Sequence, residues 1–340
     1  MLDKKIYTLA IESSCDDTSA AILCNDVVLS NIVARQAIHE EYGGVVPELA
    51  SRAHQQNIVP VVDVAIKKAG ITKEDLDCIA FTQGPGLMGS LLVGGSFAKS
   101  MSMALGIPLI AINHMKAHIL AHFISEEGYE KPTFPFIALT ISGGHTQIVK
   151  VKSFFEMEII GETTDDAVGE AFDKSAKILG LPYPGGPLVD KFAQEGNPKA
   201  FLFTKPKVSG LNFSFSGLKT QILYFIQKNV AINPNFVEEN KADICASIQY
   251  TIINILMDKL KLAVAETGIN QIAIGGGVSA NSGIRTTLKE AEKKYGWKTY
   301  IPKFEYTTDN AAMIGIVGYY NYLEENFSQA DVNSKARIEF

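Results

Sequence analysis

Cysteine is scarce in this 340-residue chain, which has four cysteines and no Cys-x-x-Cys pair. This spacing argues against a short-range disulfide framework. No basic-then-apolar leader precedes Ile11, so we expect a reduced, cytoplasmic protein. Long apolar runs are also missing: Met101–Ile112 is interrupted by Gly106 and Pro108 and falls short of the roughly 20 residues that a membrane helix needs. No transmembrane span is expected.

Positive charge is not in excess either. The formal net charge is −6, whereas an autonomous nucleic-acid binder is expected to carry a basic surface. Any contact with RNA must therefore use a local patch or a partner. The hydrophobic content of 46% over this length predicts a globular chain of about two domains with ample core.

Acidic residues are absent between Ser90 and Ser125, and this absence decides how the glycine motif Gly84-Pro-Gly-Leu-Met-Gly89 is interpreted. The motif follows a predicted strand, 76–81, and precedes a predicted helix, 90–105, as a dinucleotide-binding turn would. Such a turn also needs a ribose-binding acid about 20 residues further on. We therefore predict a close strand-to-helix turn without a dinucleotide.

Two stretches of the chain share one plan, a strand, a small polar turn and a second strand. The first runs through Ile6–Ile11, a turn with Ser13, and Ala20–Leu23; the second runs through Phe136–Ile141, a turn with Ser142, and Gln147–Val151. We interpret them as an internal duplication. Turns rich in Ser, Thr and Gly align backbone N–H groups that bind anions, although each could also be an ordinary hairpin turn. Two such turns favour a ligand held between two lobes.

The domain boundaries are predicted from prolines that interrupt regular structure and from the periodicity of apolar residues. Proline residues in Lys131–Pro135 place the first boundary, which predicts an N-terminal lobe over 1–134 and a C-terminal lobe over 135–308. Residues 309–325 are predicted to form a terminal helix that packs back on the first lobe. Helical spacing predicts helices over 56–69 and 238–267, each ending at a glycine, and Leu181–Pro187 is predicted to be a stiff loop.

The candidate metal site begins with His114 and His118, which lie four residues apart on a predicted helix and so project from one face. A catalytic metal needs about three protein ligands and an open position. Asp309, where a helix of small residues begins, is the best candidate for the third. Two histidines and one carboxylate suit Fe(II) or an open Zn site. The pair could equally be two ordinary helix-surface histidines.

Two further stretches are candidates for binding. Gly275-Gly-Gly-Val-Ser-Ala-Asn281 follows a short strand and could approach a base or sugar, with Asn281 as a hydrogen-bonding side chain. Lys205, Lys207 and Lys219 surround Phe213–Gly217, a basic and aromatic mixture that can meet RNA. Solvated lysines around two core phenylalanines explain that mixture equally well.

A family resemblance joins these motifs. The chain resembles the bacterial TsaD family over nearly its whole length, and the motifs that carry the resemblance are Ile11–Thr18, Tyr42–Arg52, Gly84–Gly89, Asn113–His118, Ser142–Gln147, Gly169–Lys174, Tyr183–Pro187, Phe213–Thr220, Gly275–Asn281 and Thr308–Asn310. Two positions depart from the family pattern. Asp17 stands where relatives often carry Glu, and Lys116-Ala117 stands where the bacterial helix often carries Glu-Gly.

The resemblance implies the fold and the activity. The expected fold is the two-lobed actin and hexokinase-like ATPase fold, made of duplicated ribonuclease H-like domains with a central ligand cleft. The expected activity is that of a tRNA N6-adenosine threonylcarbamoyltransferase. Such an enzyme transfers threonylcarbamoyl from threonylcarbamoyl-AMP to the adenosine 3′ of the anticodon, in tRNAs that read codons beginning with adenosine, and releases AMP.

The resemblance also implies site residues and partners. It implies metal ligation by His114, His118 and Asp309, with Fe(II) or Zn as the metal. A separate synthase would supply threonylcarbamoyl-AMP, and TsaB and TsaE would be partner proteins. Contacts to the substrate are implied for Thr140, Ile141, Ser142, Gly143, Gly144, Asp173, Gly186, Asp190 and Asn281.

Asp16 and Asp17 are candidates for taking the proton of the attacking amine or for orienting the intermediate. AMP leaves as a stabilised anion, so positioning and electrostatics can provide most of the rate without an enzyme nucleophile. Two other classes of protein share part of this pattern. A metallopeptidase would carry its general-base Glu directly after the first histidine, where this chain has Met115. A non-catalytic ATP-binding assembly partner of the same fold would not need the three metal ligands together.

Overall fold

The computed structural model of the chain describes residues 4–36, 38–338 and 340. Its strands are β1 (Tyr7–Glu12), β2 (Thr18–Cys24), β3 (Val27–Ala34), β4 (Cys78–Gly84), β5 (Leu109–Asn113), β6 (Phe136–Ile141), β7 (Thr146–Val151), β8 (Met157–Glu162), β9 (Gln271–Gly275) and β10 (Lys298–Tyr300). Its α-helices are α1 (Ile38–Glu41), α2 (Pro47–Ala69), α3 (Met88–Leu105), α4 (His114–Leu120), α5 (Val168–Ile178), α6 (Gly185–Ala193), α7 (Ser216–Val230), α8 (Phe236–Thr267), α9 (Ser282–Tyr295) and α10 (Ala311–Leu323).

The chain divides into two compact units. The first comprises Met1–Pro132 and Pro302–Phe340, and the second comprises Thr133–Ile301. The chain thus returns to the first unit before it reaches Asp309 and α10.

The two units repeat one sheet topology. The first sheet has the order β3-β2-β1-β4-β5 and the second has the order β8-β7-β6-β9-β10. In each sheet the first three strands in sequence pair antiparallel, and the last two are parallel to the first. This identity of order confirms the predicted duplication of an α/β domain, which the similar strand–turn–strand stretches had indicated.

The sheet of the first unit is covered on both faces because alternate residues of β1 point to opposite sides. Leu9 and Ile11 are buried in a cluster with Ile58 and Val62 of α2. Thr8, Ala10 and Glu12 occupy the other face, where α10 packs against β1, β2 and β4. The end of β1 therefore presents Glu12 on the same side of the sheet as α10.

The second unit is built around its longest helix. α8 supplies a row of fully buried isoleucine and leucine side chains, which pack with β6, β9 and α5 in one hydrophobic cluster. The helix ends at Gly268, and α2 of the first unit ends at Gly70, both as predicted from the sequence. Both helices begin earlier than predicted, and the difference is larger for α2, whose first residue is Pro47. Proline is favoured in the first helical turn, where its missing N–H has no intrahelical partner to lose.

The prediction of a loop over the whole of Leu181–Pro187 is wrong at its C-terminal end. Gly185, Gly186 and Pro187 form the first turn of α6. The side chain of Asp173 accepts hydrogen bonds from the backbone N–H groups of Gly185 and Gly186, both at 2.9 Å. A carboxylate from a neighbouring helix thus satisfies the free N–H groups that otherwise disfavour a helix start, so glycines and a proline are tolerated there.

The glycine motif at Gly84 is a packing device, in agreement with the rejection of a dinucleotide turn. Gly84 has a φ of +155°, and a Cβ at this position would lie 1.9 Å from the carbonyl oxygen of Lys335 in the C-terminal segment. The N–H of Lys335 donates to the carbonyl of Gln83, and the N–H of Gly86 donates to the carbonyl of Ala336. The absence of a side chain at Gly84 therefore lets the C-terminal segment pack directly against the backbone of the strand-to-helix turn.

Within the described part of the chain, none of the helices has both the length and the apolar character required to cross a bilayer. The cysteines Cys15, Cys24, Cys78 and Cys245 are all free.

A buried histidine fixes the turn after β1. His54 of α2 is fully buried; its Nδ1 lies 2.8 Å from Thr18 Oγ1, and its Nε2 lies 3.0 Å from the carbonyl oxygen of Cys15. The neutral ring satisfies both bonds if Nε2–H donates to the carbonyl and Nδ1 accepts from the hydroxyl. Burial lowers the pKa of His54 and outweighs the opposing effects of the Cys15 carbonyl and of the charges of Glu12 and Asp16.

We expect this histidine to make stability depend on pH. In the unfolded chain His54 takes up a proton near pH 6.5, whereas the folded protein resists it, so the free energy of unfolding should fall as the pH drops from about 6.5 towards the lowered folded pKa. Urea unfolding between pH 5 and 8 measures this. His54→Gln should flatten that part of the profile, and Thr18→Val, which removes no titrating group, should lower stability but keep the slope. An unchanged slope in His54→Gln would contradict the prediction.

Candidate active site

The two histidines of the predicted metal site lie on one short helix. β5 ends at Asn113, whose side-chain oxygen accepts hydrogen bonds from the N–H groups of Met115 and Lys116 and so caps α4. His114 and His118 then face the same side, with ring centroids 4.7 Å apart and nearly perpendicular planes. Both are buried.

Asp309 lies against this pair. Its Oδ1 is 3.4 Å from His114 Nε2 and 3.2 Å from His118 Nε2. The helix that follows begins two residues later than predicted, at Ala311, because Asn310 is the N-cap and accepts a hydrogen bond from the N–H of Met313. The N–H of Ala311 donates to Ser19 Oγ, which fixes the start of α10 to β2. The structure thus brings the three predicted ligands together.

The geometry fits a divalent metal ion. Ligand atoms bound at about 2.1 Å to a tetrahedral ion lie about 3.4 Å apart, close to the two observed separations. Neither ring nitrogen of the buried His118 has a hydrogen-bond partner among the described residues, although buried polar atoms nearly always have one. A metal at the mouth of the cluster would satisfy Nε2. His114, His118 and Asp309 form the one group of this kind found among the described residues.

The charges around His114 are strongly coupled. Burial opposes the charged form of His114, but the carboxylates of Glu12 and Asp309 outweigh this effect and raise the pKa of His114 well above its usual range. Burial alone would raise the pKa of Asp309, but its contacts with His114 and His118 outweigh burial and lower that pKa. Burial lowers the pKa of His118 despite its closeness to Asp309. The cluster therefore keeps an ionised carboxylate and one neutral imidazole.

Asp16 and Asp17 lie in the turn between β1 and β2. Burial, together with the charges of Asp16 and Asp309, raises the pKa of Asp17 to about 7, and Arg35 offsets part of this shift. A carboxyl group with this pKa can exchange protons at neutral pH. Burial also raises the pKa of the neighbouring Cys15 thiol, followed by the effect of the Asp16 charge, so Cys15 is not a thiolate nucleophile.

One residue of the site was missed from the sequence, namely Glu12. Its side chain is fully buried, and one carboxylate oxygen lies 2.9 Å from His114 Nδ1. The other oxygen accepts a hydrogen bond from the N–H of Ser14. An acidic residue at the end of the apolar run Leu9–Ile11 was the available signal. At Ser14, the backbone N–H that was predicted to face an anionic ligand is thus used by a carboxylate of the chain itself.

The residues implied for substrate binding all lie in the second unit. Thr140 and Ile141 end β6, and the turn after them is closed by two bonds between Ser142 and His145. The N–H of Gly169, at the start of α5, donates to the carbonyl of Ser142. A Cβ atom added at Gly143 or at Gly144 would have no neighbouring atom within 4 Å, so this face of the turn is open.

Three of these residues hold helix starts in place. Asp173 binds the first turn of α6, as described above. Asp190 of α6 accepts from the N–H and the hydroxyl of Ser282, at 2.9 and 2.7 Å. Asn281 accepts from the N–H of Ile284 and donates to Gln249 at 2.7 Å. The carboxylates and the amide therefore fix α6 and α9 around the Gly275–Asn281 turn.

The basic and aromatic stretch of the second unit is mainly structural. Phe213 and Phe215 are fully buried, so they are not available to stack on RNA bases in this structure. Asp165 accepts hydrogen bonds from the N–H groups of Phe215 and Ser216 and fixes the start of α7. Lys205 pairs with Asp258 at 2.5 Å, whereas Lys207 is exposed.

The fold and the cluster together define a class: a duplicated α/β protein with a two-histidine, one-aspartate site in its first unit. Solved structures with this fold include HypF from T. kodakarensis, with a TM-score of 0.64 and 16% identity over 96% of this chain and 49% of HypF. Component A of the Acidaminococcus fermentans (R)-2-hydroxyglutaryl-CoA dehydratase has a TM-score of 0.52 and 16% identity over 94% of this chain and 99% of its own. These likenesses support the actin and hexokinase-like fold class.

The sequence comparisons identify the family. The model of the TsaD family, described as tRNA N6-adenosine threonylcarbamoyltransferase, matches residues 27–316, and the chain belongs to this family. A protein of that name from Christiangramia forsetii is 72% identical over the full length of both chains. Another from Porphyromonas gingivalis is 59% identical over 99% of each chain.

The geometry of the cluster leads to a prediction about metal content. We expect purified protein to hold about one divalent ion per chain and a His114→Ala, His118→Ala double variant to hold none, because one carboxylate alone is a weak site. Elemental analysis after extensive dialysis measures both. His39→Ala, which removes another buried histidine of the first unit, is the matched control and should keep the metal. Full occupancy in the double variant would show that the metal lies elsewhere.

Proposed function

We propose that this protein transfers the threonylcarbamoyl group of threonylcarbamoyl-AMP to the N6 amine of a tRNA adenosine and releases AMP. The observation that carries the proposal is that relatives of this name align with the chain from end to end. The compact cluster of the histidine pair and Asp309 in the folded protein agrees with it. The acceptor is the adenosine 3′ of the anticodon in tRNAs that read codons beginning with adenosine.

His114, His118 and Asp309 would hold a divalent metal, for which Fe(II) and Zn are the candidates. When bound, such an ion would act as a Lewis acid and would polarise the threonylcarbamoyl end of the donor. The protein surrounds these ligands with an environment that contains little water, since both histidines are nearly inaccessible to solvent. Charge interactions are stronger in such an environment than in bulk water.

The adenylate of the donor would bind in the second unit. The Ser142–Gly144 turn would approach the phosphate with its open face. Asp173 and Asp190 hold the first turns of α6 and α9 in place. The side chains of these two aspartates are already engaged by the protein. Their part in binding would therefore be to shape the site around Gly186 and Asn281.

Asp17 is the better placed of the two candidate proton acceptors. Its raised pKa keeps a fraction of the carboxyl groups protonated at neutral pH and lets the ionised form take a proton from the attacking amine. Its side chain is one methylene shorter than the glutamate that relatives often carry. We propose that Asp16 acts mainly through its charge, which contributes to the raised pKa of Asp17.

Two other functions fit the structure less well. A metallopeptidase needs a general base directly after the first histidine, and Met115 is both apolar and buried. A non-catalytic nucleotide-binding partner would not need the three metal ligands to converge, whereas Asp309 is held next to the histidines by a cap at Asn310 and by Ser19. The convergence favours an enzyme.

Protein partners follow from the charge of the chain. With a net charge of −6 the isolated protein should bind tRNA weakly, so we propose that it acts together with TsaB- and TsaE-like proteins and that a separate synthase supplies the donor. The exposed Lys207 is the strongest candidate of the lysine group for a tRNA contact, because Lys205 is neutralised by Asp258. A cytoplasmic location is part of this proposal.

The reaction itself is the first test. Protein, partner proteins, threonylcarbamoyl-AMP and a tRNA that reads codons beginning with adenosine should give N6-threonylcarbamoyladenosine and an equal amount of AMP, measured by nucleoside mass spectrometry. A tRNA that reads codons beginning with another base is the matched control and should stay unmodified. The absence of the modified nucleoside from the first tRNA, with all components present, would refute the proposed function.

Two aspartates should differ in their effect on this activity. Asp309→Ala removes a metal ligand, and loss of a single preorganised electrostatic group commonly costs about 10²- to 10³-fold, so a loss of at least this size in kcat/KM is expected. Asp17→Asn should cost less and should flatten the rise of activity with pH that follows ionisation of Asp17. Asp26→Asn, which breaks a contact with Lys131 elsewhere in the first unit, is the control and should retain activity. A larger loss in Asp17→Asn than in Asp309→Ala would reverse the assigned roles.

A further inference from the structure

Glu12 is a buried acid whose position is set by the sheet of the first unit. β1 and β4 are parallel neighbours with Ile11 opposite Phe81, so Glu12 follows at the same level as Thr82. β4 and β5 are parallel with Gly84 opposite Asn113, so His114 starts directly beyond the end of β5. The carboxyl ends of three adjacent strands therefore bring Glu12, Thr82 and His114 together.

The hydrogen bonds of Glu12 account for both of its oxygens. Oε2 lies 2.9 Å from His114 Nδ1 and accepts a bond from Thr82 Oγ1 at 2.6 Å, and Oε1 accepts from the N–H of Ser14. A carboxylate with no exposed surface is costly unless it is paired, and these contacts supply the pairing. An ionised Glu12 can only accept, so the proton of the shared bond resides on His114 Nδ1.

This bond decides which nitrogen of His114 is free. A metal ion binds only the neutral ring, and when His114 is neutral the bond to Glu12 keeps its one proton on Nδ1 and leaves the lone pair on Nε2, the atom that lies 3.4 Å from Asp309 Oδ1. Ser14 Oγ, 3.2 Å from His114 Nδ1, lies on the same side of the ring as Glu12. His118 has no such support, since neither of its ring nitrogens has a hydrogen-bond partner in the described part of the chain. Of the two histidines, only His114 has a carboxylate against the ring nitrogen that points away from Asp309.

We propose that Glu12 is a positioning residue of the metal site: it holds His114 in the tautomer and ring orientation that present Nε2 to the ion, and it strengthens His114 as a ligand. The inference rests on the metal site of the proposed function. Partners of this kind behind a metal-bound histidine contribute about 10- to 100-fold to metal affinity. A carboxamide in the same place could instead donate to Nδ1, which would favour the tautomer that blocks Nε2.

The test compares Glu12→Gln with Thr82→Val. The probe is Zn(II), with its dissociation constant measured by competition with a chelator. We expect Glu12→Gln to weaken Zn(II) binding about 10- to 100-fold. Thr82→Val removes a hydrogen bond to the same carboxylate without touching His114, so it should lower the unfolding temperature and leave Zn(II) affinity within about twofold of the wild type. A purely structural role of Glu12 predicts that both variants lose stability and neither loses affinity.

The tautomer can also be observed without any variant. Nitrogen-15 labelling of the six histidines in the Zn(II)-loaded wild type should show the proton of His114 on Nδ1 and the metal on Nε2. The opposite assignment would overturn the inference even if Glu12→Gln failed to fold. Wild-type affinity in Glu12→Gln would overturn it while leaving the metal site intact, whereas a wild type that binds no Zn(II) or Fe(II) would remove the metal site as well.

Discussion

The structure of the first unit depends on the meeting of two distant parts of the chain. Asp309 follows His118 by 191 residues, and it reaches His114 and His118 because α10 packs on the sheet. Small residues permit this approach: a side chain at Gly315 would collide with Leu23, and one at Gly318 would collide with Ala80. The closeness of helix and sheet thus sets the position of the third ligand.

The strand ends of the same sheet contact the cluster of His114, His118 and Asp309. Parallel pairing of β1, β4 and β5 aligns their carboxyl ends, which is where ligands bind in open α/β sheets. Glu12 and Thr82 lie at these ends, and α4 begins at the third. Buried charge is therefore concentrated where the fold can pair it, with Glu12 and Asp309 on either side of His114.

The second unit uses the same topology for a different purpose. Three of its aspartates each hold a helix start: Asp165 does so for α7, Asp173 for α6 and Asp190 for α9. The open Gly143–Gly144 turn lies beside the start of α5, whose Gly169 N–H donates to the carbonyl of Ser142. Both sheets thus have one topology, and the side chains at their strand ends differ: they form the His114, His118 and Asp309 cluster in the first unit and fix helix starts in the second.

The sequence by itself determined the duplicated α/β architecture, the family and the three candidate ligands, because these depend on local periodicity, turn residues and motifs that survive in one dimension. It could not determine that Gly185–Pro187 start a helix, since that needs the carboxylate of Asp173 from another element. Nor could it show that Glu12 contacts His114 or that Phe213 and Phe215 are buried, because strand register and packing decide both. Only the tertiary structure decides which polar groups bond within the protein and which can contact a ligand. The physical reason is that hydrogen-bond partners far apart in sequence meet only when the sheet and the helices assemble.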